Sequence, residues 1–196
     1  MSILKIILAS AVWGIVHSIL ASSIAKDTFR AWLGNGFMRL YRLAYNVFSV
    51  LSFAPILWLA WSQPNQPLYE VPAPWRYLML AGQGASVLML LVGVLQTDTL
   101  NFIGLGQLFQ EKEQPSKLVV RGLYRYMRHP LYTAGLLFLW LTPGMSLNTL
   151  TLYIASSLYI LVGAYFEERK LLREFGSAYA EYQKKTPMII PRLFRG

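Results

Sequence analysis

Long stretches without a single charged residue dominate this chain and constrain its fold more than any other feature. Three of them cover residues 6–25, 43–61 and 78–96. Each is close to the roughly 20 apolar residues that a membrane-spanning helix requires. A fourth, residues 131–166, is too long for one span. It contains TPGMSLN at 142–148, whose proline and glycine favour a tight turn, so it predicts a hairpin of two helices with a short first member.

The composition agrees with this pattern. Hydrophobic residues make up 55% of the chain and charged residues only 14%, whereas a soluble domain carries about 25% charged residues. We therefore predict an all-α integral membrane protein, a single membrane domain with about five transmembrane helices. Residues 167–185 alternate apolar and charged side chains at helical spacing, which predicts a cytoplasmic C-terminal amphipathic helix, interrupted at Gly176 and ended by Pro187.

The distribution of lysine and arginine predicts the orientation. All but Lys5 and Arg76 fall in three segments, which follow the first, third and fifth predicted spans. Five spans place these segments on one side of the membrane, and the positive-inside rule makes that side the cytoplasm and leaves the N-terminus outside. The net charge of +9 is therefore typical of contact with anionic membrane lipid, and no nucleic-acid partner is predicted.

Two short motifs carry the side chains that could do chemistry. The stretch RGLYRYMRHPLYTAG, residues 121–135, sets basic residues, His129 and tyrosines against an apolar run, with Pro130 suited to the first turn of a helix. Glu167 and Glu168 follow the last apolar run, where an ionised carboxylate needs a partner. The hairpin would bring both motifs to the same cytoplasmic end. Simpler alternatives stay open: the glutamates end a span in solvent, and the histidine caps a helix.

Other classes of site have little support in the sequence. There is no cysteine, so disulfides, thiolate nucleophiles and cysteine metal sites are excluded, and no metal is predicted. GQG at 82–84 lies inside a span, where small residues let helices pack closely. GLG at 104–106 precedes no βαβ unit and predicts no dinucleotide site.

The C-terminal half resembles a known group of membrane enzymes. RHPLY at 128–132, EE at 167–168, FGSAYAEY and TPMIIP are similar to the pattern of the isoprenylcysteine carboxyl methyltransferase and phospholipid methyltransferase families. The similarity covers roughly residues 107–193, and Ala134 stands where the family has glycine. In the N-terminal half, His17-Ser18, Tyr45-Asn46 and LNFIGLGQLF resemble the branch that contains NnrU-type proteins and methanethiol S-methyltransferase.

The resemblance implies S-adenosyl-L-methionine as the cofactor. It divides the chain into an acceptor-side half, residues 1–106, and a cofactor-binding half, residues 107–196. In the latter it implies a cofactor site formed by Gln110, Leu118, Val119, Tyr124, His129, Pro130, Leu131, Tyr132, Glu167 and Glu168. Glu167 would bind a polar group of the cofactor with support from Glu168. Arg128 would bind the cofactor's carboxylate end or hold Glu167 in place.

The implied reaction is methyl transfer to a small or lipophilic acceptor, a thiol, carboxylate or amine, at the cytoplasmic face of the membrane. The catalytic candidates are Arg128, Glu167 and His17. His17 and Asn46 are buried polar groups in the acceptor-side half, although each is equally suited to a hydrogen bond between helices. Two alternatives remain: an NADPH-dependent membrane reductase of the sterol-reductase type, and a non-catalytic membrane assembly or transport factor.

Overall fold

A computed structural model describes residues 1–109 and 118–191, which are mostly helical. In chain order the elements are α1 (Ser2–Ala21), α2 (Ser23–Ser62), β1 (Pro67–Glu70), α3 (Trp75–Gln96), α4 (Thr99–Ile103), α5 (Gly106–Phe109), a 3₁₀ helix (Gly122–Arg125), α6 (Pro130–Trp140), β2 (Gly144–Ser146), α7 (Leu147–Phe175) and α8 (Ser177–Lys185).

Four helices, α1, α2, α3 and α7, are long and apolar enough to cross a membrane, judged by length and composition. The predicted integral membrane protein is therefore confirmed in this coarse form. Helix α6 is apolar but has only 11 residues, as the short first member of the predicted hairpin requires. The count of five spans stays a prediction.

The first two helices differ from the predicted spans. The first apolar run extends to residue 25, but α1 ends at Ala21 because Ser22 is extended and its hydroxyl accepts the Ala25 N–H at 3.2 Å, which caps α2. Helix α2 begins far ahead of the predicted second span. It is bent at Gly34, whose φ of 74° lies outside the helical region and suits glycine. The basic residues predicted to lie in a loop here, such as Arg30, are helical.

The segment 142–148 is not a simple tight turn. It contains β2, which forms a two-stranded sheet with β1, so the predicted tight turn is wrong. Nearby, the Val71 N–H donates to the Pro143 carbonyl at 2.8 Å, and the Tyr69 hydroxyl donates to the Thr142 carbonyl at 3.1 Å. The all-α class is thus supplemented by two short strands.

The chain divides into two compact units that interleave along the sequence. In its described part, the first consists of residues 1–68, 99–109 and 146–156. Its apolar core is formed by Ile6, Ile56, Ala60 and Leu152. Within it the buried Asn148 amide donates to carbonyls at the end of α2, which satisfies groups that a helix C-terminus leaves unpaired.

The second unit contains α3, α6, the rest of α7 and α8. Helices α3 and α6 pack closely because α3 presents glycines. A methyl group on Gly82 would lie 2.8 Å from the Leu141 side chain, and one on Gly93 would lie 2.7 Å from Leu131. The packing role predicted for GQG is confirmed at Gly82. The Gln96 side chain accepts the Leu123 N–H at 2.8 Å and so fixes the 3₁₀ helix that precedes α6.

The C-terminal region follows the predicted break. Helix α7 continues through the two glutamates to Phe175, Gly176 turns the chain with a φ of 56°, and α8 ends before Pro187. The membrane-surface position predicted for this region stays a prediction.

Candidate active site

The beginning of α6 and the end of α7 meet in the second unit. Pro130 is the first residue of α6 and His129 precedes it as the N-cap, without a capping hydrogen bond from its side chain. The ring is used elsewhere, because its Nε2 lies 2.7 Å from Oε1 of Glu168. The Tyr132 hydroxyl donates to Oε2 of Glu167 at 2.7 Å. The predicted contact between the two motifs is confirmed.

Glu168 is the centre of this contact. Its Oε1 accepts hydrogen bonds from Arg128 Nε at 2.8 Å, His129 Nε2 at 2.7 Å and the Tyr179 hydroxyl at 2.7 Å. Its Oε2 accepts from Arg128 Nη2 at 2.8 Å and from the Gln183 amide. The side chain is only 10% exposed. A carboxylate bound in this way is a structural anchor for the groups that surround it.

The guanidinium nitrogens of Arg128 donate hydrogen bonds to protein acceptors. Besides its two bonds to Glu168, its Nη1 donates to the carbonyls of Gln183 and Thr186, and its side chain is 12% exposed. The prediction that Arg128 holds Glu167 is therefore wrong, since the guanidinium binds the neighbouring glutamate in a bidentate pair. A cofactor carboxylate would have to compete with these protein acceptors for the same nitrogens.

The segment after α8 runs along the start of α6, and we call residues 186–189 the C-terminal strap. The N–H groups of Arg128 and His129 donate to the Pro187 and Met188 carbonyls at 2.9 and 3.0 Å. The Thr133 hydroxyl donates to the Ile189 carbonyl at 2.9 Å. The strap therefore fixes the backbone that carries both the arginine and the histidine.

Glu167 has a different environment from Glu168. Its side chain is 42% exposed, and its Oε2 lies 3.7 Å from His129 Nδ1. The Tyr132 ring stacks on the His129 ring at a centroid distance of 5.2 Å and an interplanar angle of 13°. Successive helical residues point about 100° apart, so one glutamate faces the interior while the other keeps an accessible carboxylate.

The other predicted cofactor residues differ in how much they could contact a ligand. Leu118, Val119 and Tyr124 are half-buried, whereas Pro130 is fully buried and Leu131 packs against α3. Gln110 lies outside the described residues. An open cleft of about 230 Å³ borders Glu168 and is lined by Tyr165, Glu168, Arg169, Leu172, Gln183 and Met188. The roles of the predicted cofactor residues in binding stay predictions.

His17 and Asn46 lie in the first unit and have protein partners there. The Tyr45 hydroxyl lies 2.8 Å from His17 Nε2, and Trp13 stacks on the imidazole at a centroid distance of 4.7 Å. The Asn46 amide donates to the Ile103 carbonyl at 2.8 Å. These are the hydrogen bonds between helices that the simpler interpretation predicts. A part for His17 in catalysis stays a prediction.

Two residues of the site were missed from the sequence. Tyr179 and Gln183 are four positions apart on α8 and bind opposite oxygens of Glu168. Their i, i+4 spacing was visible in FGSAYAEYQ and places them on one helix face. The pattern did not show that this face binds a carboxylate, because Tyr179 resembles an apolar residue in any periodicity count.

The tyrosines around the carboxylates are expected to ionise late. Burial and the charge of Glu167 raise the pKa of Tyr124 to about 12, while burial and the bond to Glu168 raise the pKa of Tyr179 further. Folding raises these pKa values, so the protonated hydroxyls stabilise the folded protein. This stabilisation is complete below about pH 10, the pKa of an unfolded tyrosine, and is lost as the pH rises through the pKa of the folded protein. An alkaline titration of tyrosinate absorbance should show a late fraction that coincides with loss of helical circular dichroism. Full ionisation before unfolding would contradict the described burial.

Comparison with known proteins gives a consistent result. Residues 5–141 match the NnrU protein family. The chain is 30% identical to methanethiol S-methyltransferase 2 of Bradyrhizobium diazoefficiens, over 98% of this chain and 74% of that protein. It is 29% identical to the methanethiol S-methyltransferase of Crocosphaera subtropica, over 92% of this chain and 71% of that protein. Protein-S-isoprenylcysteine O-methyltransferase B of Arabidopsis thaliana is 33% identical over 41% of this chain and 42% of its own length. No solved structure matches.

Proposed function

The chain belongs to the NnrU family, and its relatives show that it is a methyltransferase. From that premise we propose that it transfers a methyl group from S-adenosylmethionine to a small thiol. The observation that carries the proposal is the cluster at the start of α6. There an accessible carboxylate, Glu167, lies beside His129 on a network of hydrogen bonds centred on a buried carboxylate.

The described residues fit this cofactor. When bound, S-adenosylmethionine supplies a methyl group on a positively charged sulfur, and its amino-acid end carries an ammonium group. The half-exposed carboxylate of Glu167 suits such a cation or a ribose hydroxyl. Leu118, Val119 and Tyr124 would pack against the adenosine, as the resemblance implies. Arg128 would act indirectly, because its nitrogens are bound to Glu168 and to carbonyls.

A thiol is the acceptor that the comparisons favour. The relatives that match nearly the whole chain are named for methanethiol, whereas the isoprenylcysteine relative matches 41% of it. A larger lipophilic acceptor remains the second candidate. By the positive-inside rule the basic segments that carry the site would lie on the cytoplasmic side, with the N-terminus outside.

Calorimetric titration of the detergent-purified protein tests the proposal. We expect saturable binding of S-adenosylhomocysteine, no binding of NADPH, and formation of methyl thioether when S-adenosylmethionine and methanethiol are added together. A protein with intact helical circular dichroism that binds NADPH instead would support the reductase alternative. Binding of S-adenosylhomocysteine without turnover of any thiol, carboxylate or amine would support the non-catalytic alternative.

A further inference from the structure

The imidazole of His129 lies between two carboxylates with different environments. Its Nε2 is 2.7 Å from the buried Glu168, and its Nδ1 is 3.7 Å from the half-exposed Glu167. The carboxylate of Glu168 only accepts hydrogen bonds, and Arg128 and Tyr179 already donate to the oxygen that Nε2 contacts. Nε2 must therefore carry a proton, which fixes the tautomer of the neutral ring.

In that tautomer Nδ1 presents a lone pair towards Glu167. The neighbouring Oε2 of Glu167 is also an acceptor, and it already receives the Tyr132 hydroxyl. No hydrogen bond to Nδ1 is formed by any residue within 1–109 or 118–191, and the 3.7 Å separation from Oε2 is too long for one. Nδ1 of His129 and Oε2 of Glu167 thus face each other as two acceptor atoms.

We propose that His129 is the proton acceptor of the methyl-transfer reaction, an inference that rests on the proposed function. The S–H proton of the thiol passes to Nδ1, and the sulfur forms a bond to the donor methyl carbon. The bond from that carbon to the donor sulfonium sulfur breaks, and its electron pair stays on that sulfur, which becomes neutral. The proton then leaves the imidazolium for water past the exposed carboxylate of Glu167.

The chemistry of thiols requires such a group. The thiolate is the nucleophile, and an alkyl thiol such as that of cysteine has a pKa of about 8.5, so it is mostly protonated at neutral pH. A proton acceptor with a carboxylate on its far nitrogen is the arrangement that orients imidazole bases in other enzymes. The charged and titratable groups around the ring are Glu167 and Glu168 on α7, Arg128 beside it, Tyr132 on α6 and Tyr179 on α8.

This role differs from the one that the sequence predicts. The resemblance implies that His129 is a cofactor contact, whereas the geometry assigns its free nitrogen to the acceptor's proton. Tyr179 and Gln183 then become positioning residues, because they hold Glu168 and act on the reaction through His129.

The test compares two thiols in the full-length protein. In His129→Gln the amide nitrogen can still donate to Glu168, but the variant has no base. With an alkyl thiol, methylation should fall by about 10²–10⁴-fold, the usual contribution of a general base. With an aromatic thiol that is already ionised at the assay pH, the rate should stay close to that of the wild type. Calorimetric affinity for S-adenosylhomocysteine should be unchanged.

Equal losses with both thiols, or loss of S-adenosylhomocysteine binding, would overturn this role and make His129 a cofactor contact or a structural residue. Failure of the wild type to methylate either thiol would instead overturn the proposed function, and this role with it. The two failures are thus distinguishable.

A second variant keeps the test valid if His129→Gln does not fold. Tyr179→Phe removes one donor to Glu168 and should lower alkyl-thiol methylation about tenfold while sparing the ionised thiol. Its matched control is Tyr69→Phe, which also loses one hydroxyl donor, to the Thr142 carbonyl, and does not touch Glu168. A loss in Tyr179→Phe that is the same for both thiols would contradict the positioning role.

Discussion

Replacing Glu168 by alanine is expected to destabilise the protein by about 3–5 kcal/mol, the cost of leaving one partner of a buried ion pair alone. The change leaves the Arg128 guanidinium, which is 12% exposed, without a counter-charge. It also removes the acceptor for His129, Tyr179 and Gln183. For a chain of this size the midpoint of thermal unfolding should fall by about 6–20 °C. Thermal unfolding followed by circular dichroism in detergent measures this.

The matched control is Glu70→Ala. Glu70 forms an ion pair with Arg76 at 3.6 Å, but its side chain is 78% exposed, so its removal should cost less than about 1 kcal/mol. If both variants unfold at the same temperature as the wild type, the network around Glu168 does not stabilise the second unit.

Replacing Glu167 by glutamine should lower the affinity for the cofactor product without lowering the stability of the protein. Its side chain is 42% exposed and glutamine keeps an oxygen for the Tyr132 hydroxyl, so the unfolding temperature should stay close to that of the wild type. The affinity for S-adenosylhomocysteine should fall about 10–100-fold. That is the loss expected when a hydrogen bond to a charged group, worth about 1.5–3 kcal/mol, is removed. Calorimetric titration gives this affinity directly.

The comparison of the two glutamates is the informative result. One residue would be needed for stability and its neighbour for binding, although they share a helix and a residue type. Unchanged affinity in Glu167→Gln would remove this carboxylate from the cofactor site and leave the cleft that Arg169 and Met188 line as the alternative location.

Hydropathy predicted the long apolar helices but not the details of the backbone between them. The apolar runs become α1, α2, α3 and α7, and the short α6 follows from the length of residues 131–166. The boundary at Ser22 and the bend at Gly34 were missed because a cap and a left-handed glycine act on the backbone, and neither changes the average hydropathy of a window. The strand pair β1–β2 was missed because its pairing joins residues far apart in sequence.

The proximity of the two motifs was predicted, but the individual hydrogen bonds between them were not. A hairpin necessarily returns to the side from which it began, so the proximity of His129 and the glutamates follows from topology. Which glutamate faces Arg128 depends on the rotation of α7 about its own axis. The length and the mean hydropathy of the apolar run before it do not specify this rotation. The contribution of Gln183 depends on where α8 turns after Gly176, which spacing alone does not specify.

The C-terminal strap has a consequence for the biosynthesis of this protein. Glu168 and the RHP segment have been translated once the ribosome has passed residue 175, yet some of the groups that bind them come later. These are the Tyr179 hydroxyl, the Gln183 amide and the carbonyls of residues 186–189. A nascent chain with every apolar helix already inserted therefore still lacks an assembled centre. The centre therefore cannot be complete before residue 189 has left the exit tunnel.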